Sequence, residues 1–129
     1  MKIRLIKEKK PRDSKLVSKG ILHDGNNVLI LSGIVGLGWD LPGGHIHIGE
    51  DPVAGLKREV YEETGLNVEN PVETHFEGHT HYYKASLPPG KIHLSHEHTE
   101  YKLVDYKNVD NIDMTDKFKS AIKKSMEYS

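Results

Sequence analysis

Residues 44–66 read GHIHIGEDPVAGLKREVYEETGL, a stretch that combines helix signals with a high density of carboxylates. Asp51 suits a helix N-cap, and Pro52 suits the first helical position. Gly65 suits the C-cap, where the backbone commonly turns left-handed. The spacing therefore predicts a helix that begins after Asp51 and ends at Thr64.

The predicted helix separates its charged side chains from its apolar ones. With 100° of rotation per residue, Glu59, Glu62 and Glu63 share an arc of about 100°. An adjoining apolar stripe that can be buried contains Val53, Leu56 and Val60. Carboxylates three or four residues apart repel one another by a few tenths of a kcal/mol per pair. A divalent cation such as Mg²⁺ would relieve this repulsion, because hard ions bind carboxylate oxygen.

Two glycines and one more carboxylate precede the helix. Residues 42–44 are Pro-Gly-Gly, and we expect them to form a loop. Without side chains, this loop lets backbone carbonyls or amides approach an ion or a ligand closely. Glu50 adds a fourth carboxylate nearby. These residues indicate a Mg²⁺ or Mn²⁺ site beside an open loop, an arrangement that suits phosphate chemistry.

This stretch resembles the Nudix box, whose pattern is Gly-x5-Glu-x7-Arg-Glu-U-x-Glu-Glu-x-Gly-U, where U is apolar. Every specified position is filled between residues 44 and 66. The resemblance implies an α/β fold, a Nudix-type α/β/α sandwich with a mixed central sheet. Residues 1–129 would form a single domain of this kind. The resemblance also implies hydrolysis of a nucleoside diphosphate that is linked to another group.

The resemblance assigns a metal site to individual residues. Glu59, Glu62 and Glu63 would bind Mg²⁺, with Mn²⁺ as an alternative, and the Gly43 carbonyl would be a further ligand. Arg58, together with Glu50, would brace the loop against the helix and would pair with a box carboxylate.

The general base has candidates both inside and outside the box. In this family either a box glutamate or a glutamate from a later loop can accept the proton of water. Glu59 and Glu62 are the candidates inside the box, and Glu97 and Glu100 are those outside it. We prefer the box pair, so the predicted catalytic group is Glu62, Glu59 and Arg58. Water would attack a phosphorus atom and cleave the P–O–P link.

The rest of the chain predicts strands and a second helix around this site. Residues 16–22 and 28–31 should form a β-hairpin, because His-Asp-Gly-Asn-Asn between them is strong turn chemistry. We expect a short strand around residues 39–41, and further strands at residues 67–76, 78–87, 91–96 and 100–106. A final helix should follow a cap at Asp113 or Thr115.

Composition and charge exclude several classes of protein. No apolar run is long enough for a membrane span, and the charged start lacks the apolar core of a signal peptide. The 129 residues include no cysteine, which excludes disulfides and thiolate sites and suits a cytoplasmic location. The net charge of −1 gives no reason to expect a nucleic acid or membrane partner. Residues 1–20 are locally basic, which predicts a solvated edge strand, with a phosphate or partner contact as the alternative.

The substrate is left open by the sequence. Short members of the family often act on nucleoside triphosphates, including oxidised ones, and we prefer that class of small-molecule nucleotide. Tyr82 and Tyr83 stand near a spacing that the family associates with diadenosine polyphosphates. ADP-ribose, a capped or triphosphorylated RNA end, and binding of a nucleotide without catalysis are further alternatives. The resemblance is also compatible with a homodimer.

Histidine pairs and one tryptophan give weaker signals. The three His-x-His pairs are His45/His47, His79/His81 and His96/His98. On a strand each pair would face one side and could chelate a transition metal. Polar strand faces that line the cleft are the preferred interpretation. We expect Trp39 to anchor the core rather than to stack on a nucleobase.

Overall fold

A computed structural model describes residues 11–33 and 38–128 of the chain. Its strands are β1 (Asp13–Asp24), β2 (Asn27–Gly33), β3 (Trp39–Asp40), β4 (Gly43–His47), β5 (Val72–Glu77), β6 (Thr80–Ser86) and β7 (His98–Asp105). Its helices are α1 (Pro52–Thr64) and α2 (Asp116–Met126), with a 3-10 helix at Tyr106–Asn111. Within the described residues no helix is both long and apolar enough to cross a membrane.

The strands form one mixed sheet. Its order in the described part of the chain is β3-β2-β1-β6-β5, with β4 beside β1 and β7 beside β2. Strands β1 and β6 run parallel, from Val17 opposite Thr80 to His23 opposite Ser86. The other strand pairs are antiparallel. This arrangement confirms the predicted mixed central sheet.

The first two strands form the predicted hairpin, but most of β1 lies inside the sheet. Asp24 pairs with Asn27 across a turn in which Gly25 has φ +61°. Strand β1 pairs with β6 along one edge and with β2 and β4 along the other. The edge-strand prediction for residues 1–20 is therefore wrong for residues 17–20, which have strand neighbours on both sides. Among the described residues, 13–16 lie beside β4 alone, and 11–12 precede the strand. Residues 1–10 lie outside the described residues.

One helix covers each face of the sheet. Alternation along the strands sends Ile21 and Tyr82 to one core, where Ala121 and Ile122 of α2 pack. The opposite core contains Leu22, Leu29, Leu31 and Tyr83, together with Leu56 and Val60 of α1. The molecule is therefore an α/β/α sandwich, as predicted. Half-buried Trp39 packs against the first core, in agreement with its expected anchoring role.

Helix α1 has the predicted bounds and caps. The Asp51 carboxylate accepts hydrogen bonds from Val53 N at 3.1 Å and from Ala54 N at 3.3 Å. At the other end Gly65 has φ 78° and donates its N–H to Tyr61 O. Helix α2 uses Thr115, one of its two predicted caps. Local capping chemistry thus fixes both helices.

Three predicted segments differ from the structure. The strand predicted at 91–96 does not form, because its N–H groups bond elsewhere: His93 N donates to Thr64 O and Ser95 N to Glu63 O. The strand predicted to begin at residue 67 begins at Val72, since Asn70 has φ 51° and Pro71 has no N–H. The predicted loop at 43–44 instead begins β4, which pairs with β1. The sequence also predicts a glycine-rich loop from residue 33 to residue 44, of which residues 34–37 lie outside the described residues.

Candidate active site

The box carboxylates of α1 face a small cavity between this helix and the loop before β7. Their side chains differ in exposure: Glu62 is 57% exposed, Glu59 is 21% exposed and Glu63 is 8% exposed. All three line a cavity of about 190 Å³ together with Ser95, His96 and Glu97. The helix therefore brings the predicted metal ligands to one place.

Two consecutive glycines let β4 approach these carboxylates. Gly43 N donates to Glu63 Oε1 at 2.9 Å, a buried hydrogen bond. Gly43 has φ 129°, and a Cβ at this position would collide with the Ser18 carbonyl. A Cβ on Gly44 would lie 2.7 Å from Glu59 Oε1. Backbone conformation explains the first glycine, and close approach of a catalytic candidate explains the second.

The Gly43 carbonyl, a predicted metal ligand, is held by a lysine that the sequence analysis did not assign. Lys19 Nζ donates to Gly43 O at 3.3 Å, to Leu41 O at 3.0 Å and to Asp40 Oδ1 at 3.0 Å. The side chain is only 11% exposed. The sequence feature that could have predicted this role is a lysine inside an apolar strand, because a buried ammonium requires hydrogen-bond partners.

Arg58 ties β4 and the turn that follows it to the charged face of α1. Its Nε and Nη2 donate to the two oxygens of Glu50, each at 2.9 Å, and Nη2 also donates to His45 O. Its Nη1 lies 3.2 Å from Glu59 Oε2 and 3.5 Å from Glu62 Oε1. The hydrogen bond from Arg58 lowers the pKa of Glu50 to about 2. The guanidinium thus joins the bracing carboxylate to two box carboxylates.

The environment of Glu59 disfavours its charged form. Burial raises the pKa of this carboxyl, the hydrogen bond from Arg58 opposes that rise, and the charge of Glu63 adds to it. A half-buried carboxylate with acidic neighbours is suited either to bind a cation or to accept a proton.

The loop before β7 brings in one of the two candidates outside the box. Its contacts with the end of α1 place Glu97 at the cavity, and Ser95 Oγ accepts from Glu97 N at 3.4 Å. Glu100 lies further along, exposed on β7 and opposite Ser32 of β2. It does not line the cavity. The structure therefore brings Glu97 to the box carboxylates but leaves Glu100 apart.

His98 also enters the carboxylate cluster. Its side chain is 7% exposed, and Nε2 lies 3.4 Å from Glu63 Oε2. The hydrogen bond with Glu63 raises the pKa of this imidazole. One ligand atom each from Glu63, Glu97 and His98 lie within 4.8 Å of one another. The His-x-His spacing pointed to this residue without indicating its carboxylate partners.

In the described residues, the group of three side chains with metal-ligand spacing includes His98 but no histidine of the other two pairs. His45 Nδ1 lies 3.1 Å from Ser14 O, and His81 Nδ1 lies 2.8 Å from Glu73 Oε2. Both histidines therefore act as polar groups on strands, but neither lines the cavity of the box carboxylates.

Comparison with known proteins supports the same fold and identifies a family. The NUDIX domain family matches residues 17–125. The crystal structure of the mutator MutT protein from Bacillus halodurans superposes with a TM-score of 0.70 at 26% identity, covering 83% of this chain and 78% of that one. The MutT NUDIX hydrolase from Burkholderia pseudomallei superposes with a TM-score of 0.72 at 18% identity, covering 90% and 98%. A MutT-like protein from Streptomyces ambofaciens is 55% identical over 31 residues, 24% of this chain and 20% of that protein.

The fold, the complete box and the family match lead to one assignment. This chain belongs to the NUDIX domain family, the Nudix hydrolases.

Proposed function

We propose that this protein is a divalent-metal-dependent pyrophosphohydrolase. It would cleave the P–O–P link of a nucleoside diphosphate joined to another group, with a nucleoside triphosphate or an oxidised nucleotide as the preferred substrate. The observation that carries the proposal is the convergence of Glu59, Glu62, Glu63 and Glu97 on one cavity. A small nucleotide would be its partner, and a cytoplasmic location accords with the cysteine-free sequence.

The residues at the cavity fit a divalent cation. Their donors are carboxylate oxygens, which Mg²⁺ prefers and Mn²⁺ accepts. Glu59, Glu62 and Glu63 would hold the ion, with the Gly43 carbonyl as a further ligand. A bound ion would neutralise phosphate charge and lower the pKa of the attacking water.

The protein groups would then position the reactants and accept one proton. Glu59 or Glu62 would take a proton as the water oxygen forms a bond to phosphorus and the bridging P–O bond breaks. The bridging oxygen leaves with the second phosphate group. Arg58, fixed by Glu50, would hold these two carboxylates in place through its Nη1. Glu97 is the alternative base, since it reaches the same cavity.

Burial of two tyrosines weighs against one alternative substrate. Tyr82 is 1% exposed and Tyr83 is 3% exposed, so neither ring is available to stack on a second adenine. Diadenosine polyphosphates are therefore less favoured than nucleoside triphosphates. ADP-ribose hydrolysis remains the next alternative among small nucleotides.

Product analysis by ion-exchange chromatography tests this proposal. The protein would be incubated with Mg²⁺ and nucleoside triphosphates, oxidised guanine nucleotides, ADP-ribose, diadenosine polyphosphates or capped RNA. A Glu62→Gln, Glu63→Gln double variant would be compared with Glu69→Gln, which removes an exposed carboxylate remote from the cavity. We expect turnover of one class, lost in the double variant and kept in the control. Binding of nucleotides without turnover would instead identify a sensor.

A further inference from the structure

A nitrogen donor, His98, lies beside Glu63, one of the proposed metal ligands. His98 Nε2 lies 3.4 Å from Glu63 Oε2, and an oxygen of Glu97 completes a group whose atoms lie within 4.8 Å of one another. We propose that His98 Nε2 is a direct ligand of the divalent ion. The site would therefore bind Mn²⁺, or another ion that accepts nitrogen, in preference to Mg²⁺. This inference rests on the proposed divalent-metal site and adds to it the identity of one ligand.

The separation of the two donors fits a shared ion. Two ligand atoms, each about 2.1–2.2 Å from an ion and about 90–105° apart, lie roughly 3.0–3.5 Å from each other. The observed 3.4 Å between His98 Nε2 and Glu63 Oε2 falls in this range. Binding of an ion there would require the neutral imidazole, with the lone pair of Nε2 directed at the ion.

The fold holds both donors in place. Glu63 Oε1 accepts from Gly43 N, which leaves Oε2 facing His98. The backbone N–H of His98 donates to Ser95 O at 3.1 Å, and Ser95 N donates to Glu63 O at 3.0 Å. Because the loop and the helix are joined directly, the histidine and the glutamate keep a fixed relation. The imidazole is also nearly buried, at 7% exposure, so few other positions are open to it.

The donor chemistry determines which ion is favoured. Mg²⁺ prefers oxygen and keeps its waters, whereas imidazole suits Mn²⁺ less strongly than Co²⁺ or Zn²⁺ but better than Mg²⁺. A site with carboxylate ligands alone would not favour Mn²⁺ over Mg²⁺. The nitrogen of His98 as an additional ligand would favour Mn²⁺.

Pulsed electron paramagnetic resonance on the Mn²⁺-loaded protein tests the proposal directly, because a coordinated imidazole modulates the electron spin echo. We expect ¹⁴N modulation in the natural protein, replaced by the ¹⁵N pattern when histidine alone is labelled with ¹⁵N. His98→Ala should remove the modulation and weaken Mn²⁺ binding by about tenfold or more, with a smaller change for Mg²⁺. His79→Ala, a change of an exposed histidine in the β5–β6 turn, should keep the modulation.

The outcomes separate this inference from the proposed function. Mn²⁺ binding without nitrogen modulation in the natural protein would overturn the inference and leave the proposed hydrolase intact. Equal weakening of Mn²⁺ and Mg²⁺ binding in His98→Ala would also overturn it. Failure of the natural protein to bind either ion would contradict the proposed function itself. The isotope comparison needs no variant, so absence of the nitrogen signal would overturn the inference even if His98→Ala does not fold.

Discussion

The ion pair between Glu50 and Arg58 gives the site a pH-dependent support. The pKa of Glu50 is about 2 in the folded protein against 4.5 ordinarily, chiefly because of its hydrogen bond with Arg58. A lowered carboxyl pKa contributes stability that is fully present above about pH 4.5 and is lost as the pH falls toward 2.

Glu50→Gln should therefore lower the free energy of unfolding by about 2 kcal/mol at pH 7, a value reduced for partial solvent screening. At pH 3.5 the loss should be smaller. Urea unfolding at both pH values measures the difference, with Glu69→Gln as an exposed control that changes little. An equal loss at pH 7 and pH 3.5 would contradict the account.

The two glycines of β4 should respond differently to alanine. In Gly44→Ala the new Cβ meets the end of the flexible Glu59 side chain, which can move away. We expect activity to fall by about 100-fold while the free energy of unfolding changes by about 1 kcal/mol or less. In Gly43→Ala the Cβ meets backbone at a positive φ, so the loss of stability should reach about 3 kcal/mol or more.

Steady-state kinetics and chemical unfolding of both glycine variants separate these effects. These assignments would be contradicted if Gly44→Ala lost as much stability as Gly43→Ala, or if Gly44→Ala kept full activity.

Helix α1 carries three of the four glutamates that line the cavity. We expect the N-cap of this helix to stabilise the protein measurably. Asp51→Ala removes the acceptor for Val53 N and Ala54 N, and should lower the free energy of unfolding by about 1 kcal/mol. Asp51→Asn keeps an acceptor and should retain most of that stability. Thermal and urea unfolding of the two variants provide the measurement. Equal losses would show that capping is not the source of the effect.

Features that depend on neighbouring residues could be predicted from the sequence, whereas features that depend on tertiary contacts could not. The bounds of α1 follow from Asp51, Pro52 and Gly65, which act on their own neighbours. The segment at 91–96 alternates apolar residues as a strand does, yet Ile92 and Leu94 pack beside α1 instead of within the sheet. Its backbone donors bond to the end of that helix. A tertiary contact of this kind leaves no local pattern in the sequence.

The difference between local and long-range causes also explains which residues of the candidate active site could be predicted. The box carboxylates share one helix face, so their convergence could be predicted from spacing alone. Glu97 could be named only as one of two candidates, because its position depends on how the loop docks on α1. Lys19 and His98 act through partners that are distant in sequence, and only the folded chain shows those partners.

Across the whole molecule, a bound ion should stabilise the folded state. Unfolded chains lack the site, so a divalent ion at about 100 times its dissociation constant adds about 2.7 kcal/mol. For a domain of this size the melting temperature should rise by on the order of 10 °C. Calorimetry with and without a chelator tests this expectation. The Glu62→Gln, Glu63→Gln variant should show little of the rise, and an equal rise in the variant would place the ion elsewhere.

In the proposed mechanism, the carboxylate-lined cavity directs water onto a phosphorus atom of a pyrophosphate. Turnover of the substrate in ¹⁸O-labelled water, followed by ³¹P nuclear magnetic resonance, tests it most directly. We predict one ¹⁸O atom in a single phosphate-containing product, with no incorporation in the Glu62→Gln, Glu63→Gln variant. Label at a carbon–oxygen bond, or equal incorporation by the variant, would contradict the account.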